Sequence, residues 1–213
     1  MIGYEQDYHR LRHANYSDER YFAARAALAA KRYLPDVPTG APVLEYGCGL
    51  GQNIAVLKNA VGYDVSQFAV SQCLSRGIRA TTELASLPDA GFDFVLAAHV
   101  LEHHPHPLNM LGEIKRKLRP GGRLVVALPH ERHHKPDLSP DLDQHLYGWT
   151  FRTINNLLMF AGFRVVRNKY LFGTGYRKLL PVRSHGAGLY EFATTVAGIL
   201  TNTRELLVVA ELP

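Results

Sequence analysis

Only two cysteines, Cys48 and Cys73, occur in the 213 residues. They are too few for a disulfide framework and too far apart for a C-x-x-C site, so both are read as reduced thiols. No apolar run reaches the ~18 residues of a membrane span. The opening MIGYEQDYHRLRHANY is too polar and aromatic for a secretory leader. These absences point to a soluble cytoplasmic protein with no membrane association. No internal repeat or low-complexity tract appears, and the sequence sets no oligomeric state. Charge of one sign is not concentrated either: 24 Lys and Arg stand against 19 Asp and Glu, a formal balance of +5. The basic residues are scattered apart from Lys115, Arg116, Lys117 and Arg119. That cluster is read as a solvated helix face, so nucleic acid is not the expected partner.

What is present suffices for one substantial core, with 46% hydrophobic and 20% charged residues. Ser17 and Asp18 can cap a helix through ERYFAARAALAAKRYL, whose alanines favour helix and which Pro35 follows. Beyond the linker 35–42, short apolar runs near 43–46, 60–64, 78–81, 93–98 and 122–128 read as strands. Helices are expected near Gln52–Lys58, Gln67–Arg76 and Pro107–Leu118, the last stopped by Arg119-Pro120-Gly121-Gly122. Such alternation builds a parallel α/β sheet. TFRTINNLLMFAGF has helical spacing, FRVVRNKYLF and RELLVVAEL read as two late strands, and the insertion 173–202 between them can hold its own helix.

The stretch VLEYGCGLGQN places Gly47, Gly49 and Gly51 directly after the first strand. In a parallel sheet this first βα turn is where a ligand meets backbone N–H groups, and glycine there permits close approach and positive φ. A dinucleotide loop would need G-x-G-x-x-G, but Gln52 stands three residues after Gly49. The second strand ends in Gly62-Tyr63-Asp64, where a carboxylate can accept hydrogen bonds from ribose hydroxyls.

VLEYGCGLG, GYDVS, ELASLPDAGFDFVLAAHVLEH and LRPGGRLVVALPH, in this order from about Pro42 to Phe163, resemble the class I S-adenosylmethionine-dependent methyltransferases of the small-molecule type. The resemblance implies a Rossmann-like, seven-stranded, mainly parallel sheet of order 3-2-1-4-5-7-6 with helices on both faces and an antiparallel final strand pair. It also implies one domain over 1–213, with a leading segment 1–42, a cofactor-binding core 43–128 and an acceptor side 129–213. S-adenosylmethionine is then the expected cofactor. Glu45, Gly47, Gly49 and Gly51 would surround its methionine portion and Asp64 its ribose, with Val65 beside it. Glu83 and the Leu84 backbone would face the adenine, and His99 would border the methionine carboxyl or the acceptor. Cys48 is spacing between glycines, while Tyr46 lines the pocket or packs beneath it, and Phe68 is more readily a packing residue.

Methyl transfer to a hydroxyl requires a base. His99, Glu102 and His103, at i, i+3 and i+4, would share one face of a helical turn. They resemble the E-x-x-E-H pattern that some quinone-pathway methyltransferases use for a divalent metal, with His99 in place of the first glutamate. A divalent metal is thus possible, but a structural role is favoured and no metal ligand is assigned. His104 and His106 are expected in solvent. The second cluster contains His130, His133, His134, Asp137, Asp141, Asp143 and His145. His133 and His134 could coordinate a metal with Asp137, though a solvated loop is favoured. His145 is the leading general-base candidate, oriented by Asp143 and walled by Tyr147 and Trp149, with His99 and His103 the other catalytic candidates. The expected function is methyl transfer to a small-molecule acceptor, with oxygen preferred. The alternatives are an inactive cofactor-binding regulator or an RNA methyltransferase; the basic balance speaks for the latter, the lack of an RNA-binding module against it.

Overall fold

A computed structural model describes residues 17–131 and 143–213. Helix α1 (Glu19–Tyr33) starts where the Asp18 carboxylate accepts from the N–H groups of Arg20 and Tyr21. Strands β1 (Val43–Tyr46), β2 (Ala60–Tyr63), β3 (Ala80–Thr81), β4 (Phe92–Ala98) and β5 (Leu118–Pro129) follow. Between them lie α2 (Gln67–Ser75), capped by the Ser66 hydroxyl, and α3 (Pro107–Lys117). Helix α4 (Phe151–Phe160) begins with a Thr150–Thr153 capping box; β6 (Arg164–Phe172), α5 (Ala187–Leu200) and β7 (Arg204–Glu211) complete the chain.

The seven strands lie in the order β3-β2-β1-β4-β5-β7-β6. Strands β1 to β5 are mutually parallel, and β7 runs antiparallel to both β5 and β6. Alternate residues of each strand feed opposite cores, as the pleat requires. Leu44, Val95, Leu124 and Leu206 meet Met110, Ile114, Ile154 and Leu158 of α3 and α4. Val43, Leu96, Val125 and Leu207 meet Phe22, Ala26 and Ala29 of α1. All four residues of β1 are buried, because helices cover both faces. Among the described residues, no helix is long and apolar enough to cross a membrane.

Three expectations are corrected. The stretch Gln52–Lys58 is a stack of turns, held by short-range bonds from Ile54 N to Gly51 O and from Leu57 N to Ile54 O. Residues 52–59 leave too little chain for a helix and a return into β2, and the turns suffice to bury Ile54. Strand β5 begins at Leu118, immediately after α3, and passes through Pro120-Gly121-Gly122 with a register shift opposite Phe92/Phe94. Lys117 is buried, its ammonium donating to Leu87 O and Asp89 Oδ1, both at 2.7 Å. It is therefore part of the packing and not of a solvated face.

The insertion 173–202 does hold a helix. Tyr190 of α5 fills a cluster with Ala24 and Leu28 of α1 and donates to Tyr176 O at 2.8 Å. Gly198 sets the other end: a Cβ there would lie 2.2 Å from Gly173 N and 2.7 Å from Gly173 Cα. Backbone cannot yield as a side-chain tip can, so the position is confined to glycine. Gly198→Ala should therefore lower stability by ~1–3 kcal/mol, the usual range for overpacking. Urea unfolding checks this, and an unchanged midpoint would show that α5 can lift away without cost.

Candidate active site

The chain leaves β1 through a turn in which the N–H groups of Gly47 and Cys48 both donate to Tyr63 O, at 2.8 and 2.9 Å. The three glycines have positive φ but different surroundings. A Cβ on Gly47 would meet Val100 Cγ2 at 1.9 Å, and one on Gly51 would meet Ile78 Cδ1 at 2.9 Å and Cys73 Sγ at 3.0 Å. A Cβ on Gly49 would meet nothing within 4 Å. Two glycines thus serve packing, and Gly49 alone faces open space. Asp64 pins this turn, with Oδ2 accepting from Gly49 N at 2.7 Å and Oδ1 from Ser66 N at 2.9 Å.

Glu45 is fully buried beneath the loop. Its Oε1 accepts from Asn53 Nδ2 at 2.5 Å, while Oε2 has no hydrogen-bond partner. Burial pushes this carboxyl well above the usual range, against the opposing pull of Asn53. The open space over Gly49 and the orphaned oxygen of Glu45 are features that a bound ligand would complete. Val65 is 67% exposed beside Asp64, whereas Phe68 packs on Leu50 and Ala69. Glu83 is exposed and leads into a 3₁₀ turn, Leu84–Ser86, whose Leu84 rests on the core. Tyr46 packs beneath the loop, its ring 4.9 Å from that of Tyr63 and its hydroxyl donating to Glu113 at 2.5 Å. Cys48 and Cys73 are buried free thiols, and the Cys73 neighbour together with burial pushes the Cys48 thiol up, away from nucleophilic character.

Past β4, His99 takes a left-handed φ of 55°. Its ring lies between two carboxylates, Nδ1 at 3.6 Å from Glu102 and Nε2 at 3.3 Å from Glu205. Burial works against its charge, yet the two carboxylates outweigh that and push the imidazole up to about 10. Glu205 resists its own burial in the same way: His99 and Arg32 draw it down to about 2. At neutral pH His99 is thus an imidazolium, a donor and a positive charge rather than a base.

Leu101–His103 forms a single 3₁₀ turn. Glu102 is fully buried, and neither of its oxygens has a hydrogen bond. Its backbone carbonyl accepts from Leu146 N at 2.8 Å, which draws the 144–147 segment against this turn. The His103 and His145 rings meet edge to face at 4.8 Å. Burial lowers His103, so this imidazole is neutral at pH 7. His145 Nδ1 bonds the Glu131 carboxylate. Ligand atoms of Glu102, His103 and His145 all lie within 4.8 Å of one another. The trio read from helical spacing therefore regroups: His99 turns to Glu205, and His145 joins Glu102 and His103.

Asp143 is exposed, and Glu131 provides the carboxylate on the His145 ring. Tyr147 and Trp149 do stack, at 5.7 Å between centroids, with the Tyr147 hydroxyl donating to Pro105 O. His106 is exposed, and the half-buried His104 accepts from its N–H at 3.1 Å. His130 bonds Arg204 at 3.2 Å. His133, His134, Asp137 and Asp141 lie outside the described residues. Glu131 and Glu205 are the functional side chains that sequence reasoning missed. The available signal for Glu205 was an acid just ahead of the apolar run 206–210 of the RELLVVAE strand, and the sheet sets it opposite Pro129 at the end of β5.

Comparison with known proteins agrees with this geometry. The methyltransferase domain family matches residues 12–168. A probable S-adenosylmethionine-dependent methyltransferase of Mycolicibacterium smegmatis is 28% identical over 211 residues, covering 92% of this chain and 76% of the relative. A 2-methyl-6-phytyl-1,4-hydroquinone methyltransferase of Synechocystis is 30% identical over 117 residues, covering 47% of this chain and 36% of its own length. Among solved structures, Burkholderia thailandensis 1,6-didemethyltoxoflavin-N1-methyltransferase, with bound 1,6-didemethyltoxoflavin and S-adenosylhomocysteine, superimposes with a TM-score of 0.60. That match is 21% identical and covers 97% of this chain and 84% of the other, a likeness of fold. The glycine turn, the strand order and the family match converge: the chain belongs to the class I S-adenosylmethionine-dependent methyltransferases, enzymes whose methyl donor is S-adenosylmethionine.

Proposed function

We propose that the chain acts as one methyltransferase domain and methylates an oxygen atom of a small-molecule acceptor. The observation that carries this reading is the pairing of two half-sites at one edge of the sheet. The open Gly49 turn with Asp64 follows β1 and β2, and the His103–His145 pair is reached just past β4. The hydroquinone and toxoflavin methyltransferases among its relatives and fold neighbours support a small acceptor.

On this reading Gly47, Gly49 and Gly51 shape the cradle for the methionine portion, with Glu45 below it. Asp64 receives the ribose, and Val65, Glu83 and Leu84 flank the adenine. The cofactor, when bound, supplies an electrophilic methyl on a sulfonium. His99, held protonated, offers its positive charge to the methionine carboxylate. The acceptor hydroxyl loses its proton at the His103–His145 pair, with His145 the leading residue because Glu131 fixes its ring. Tyr147 and Trp149 wall the acceptor and exclude water.

Gly49→Val should fill the open space, with added backbone strain from a β-branched residue at a φ of 49°, and Asp64→Ala should both release the turn and remove the ribose acceptor. Each is expected to weaken S-adenosylhomocysteine binding at least tenfold by calorimetry, about 1.4 kcal/mol. Undiminished affinity in both folded variants would place the cofactor elsewhere. For the acceptor side, a panel of phenols and hydroquinones offered with radiolabelled cofactor identifies a substrate. His145→Ala should then slow single-turnover transfer ~10²–10⁴-fold with cofactor affinity retained. Unchanged transfer in that variant would remove His145 from the chemistry.

A further inference from the structure

The least explained group in the described structure is the Glu102 carboxylate. It is fully buried, and neither oxygen finds a hydrogen bond. Its ion pair is with His99 Nδ1 at 3.6 Å, a ring that also answers to Glu205. A carboxylate taken out of water without hydrogen bonds is costly, and proteins retain one where a charge or ligand compensates it. Two further imidazoles share its surroundings, and one ligand atom from each of Glu102, His103 and His145 lies within 4.8 Å of the others.

We infer that Glu102, His103 and His145 form a site for one divalent cation of the zinc class. Two imidazole nitrogens and one carboxylate oxygen make a borderline donor set, suited to zinc and its transition-metal neighbours and unsuited to magnesium, which prefers oxygen. Ligand atoms around a tetrahedral zinc sit roughly 3–3.5 Å apart, so a small inward rotation of these side chains closes the site. Three protein ligands leave a fourth position open, the arrangement of catalytic rather than structural zinc.

The surroundings also match those of metal ligands, whose second nitrogen is ordinarily held by a carboxylate or carbonyl. Glu131 bonds His145 Nδ1 in this way. The turn and the loop that supply the ligands are tied by the Leu146 N–H to Glu102 carbonyl bond. His99 is not a member of the set, because its two nitrogens face Glu102 and Glu205. What the ion would do rests on the oxygen-transfer reading: an acceptor hydroxyl in the open position would be acidified and would release its proton to solvent. With the cation bound, His145, ligating through one nitrogen and bonded to Glu131 through the other, would hold the cation in place of taking that proton. That the ion binds does not rest on it.

The test uses the full chain, stripped with a chelator and dialysed, with Zn²⁺ alone titrated by calorimetry and no cofactor or acceptor present. One Zn²⁺ per chain is expected, with a rise in unfolding temperature that Mg²⁺ at the same concentration does not produce. Glu131→Gln should weaken binding ~10–100-fold, as loss of a group that orients a ligand does, and Glu102→Gln and His145→Ala should weaken it more. Glu102→Gln is close to isosteric; should it fail to fold, His145→Ala on its half-buried loop carries the same test. No stoichiometric binding, or binding undiminished in the folded variants, overturns the site whatever the transfer assay gives. Zinc binding in a protein that methylates no hydroxyl would count against the oxygen-transfer reading alone.

Discussion

Val100 occupies the space that a side chain at position 47 would need, and the two halves of the site are set by that contact. Strands β1 and β4 are direct neighbours, so the chain leaving one must pass the chain leaving the other. With glycine at 47 the β1 exit folds back under Tyr63 O, and the β4 exit lies against it with Val100 as the wedge. Close-packed interiors transmit displacement, so the glycine turn and the Leu101–His103 turn cannot move independently. The glycine turn and the histidine cluster are in effect one unit at the carboxyl ends of these strands.

Charge is arranged along that edge with little redundancy. Glu205 gathers the Tyr33 hydroxyl at 2.9 Å, Arg32 at 3.8 Å and His99 at 3.3 Å, tying α1 to the ends of β4 and β7. That hub fixes a positive imidazolium beside the glycine turn, while burial lowers the neighbouring His103. Asp64 does a comparable job on the other side, converting a flexible glycine turn into a pinned one. The environment thus drives two nearby histidines to opposite protonation states, which is how one site obtains both a fixed cation and a neutral imidazole.

Strand identities were legible because each strand of the core is a short apolar run with a turn residue behind it, whereas their order came from the family resemblance. The glycine triplet and Asp64 were legible for the same local reason. What failed was anything decided by chain length or distance. Residues 52–59 have helical composition but too few positions to make a helix and return to β2. Lys117 sits among basic neighbours, yet it is three residues after Ile114 and seven after Met110, on the buried stripe of α3. Its helical phase carried more information than its charge. Glu131 and Glu205 act on histidines brought near by sheet pairing, so no local spacing announces them. The same holds for the regrouping of Glu102 and His103 with His145, since a helical spacing rule cannot foresee a 3₁₀ turn.

The turns that stand in place of a helix after Gly51 have a consequence for what the site turns away. Phosphates bind where several unengaged N–H groups and a helix axis converge, and adenine and nicotinamide nucleotides present such phosphates throughout the cell. Here the N–H of Gly49 is already engaged by Asp64, and turns rather than a helix follow Gly51. A polyphosphate would meet a carboxylate where it needs a cation. A loop built this way offers a phosphate little of what it needs.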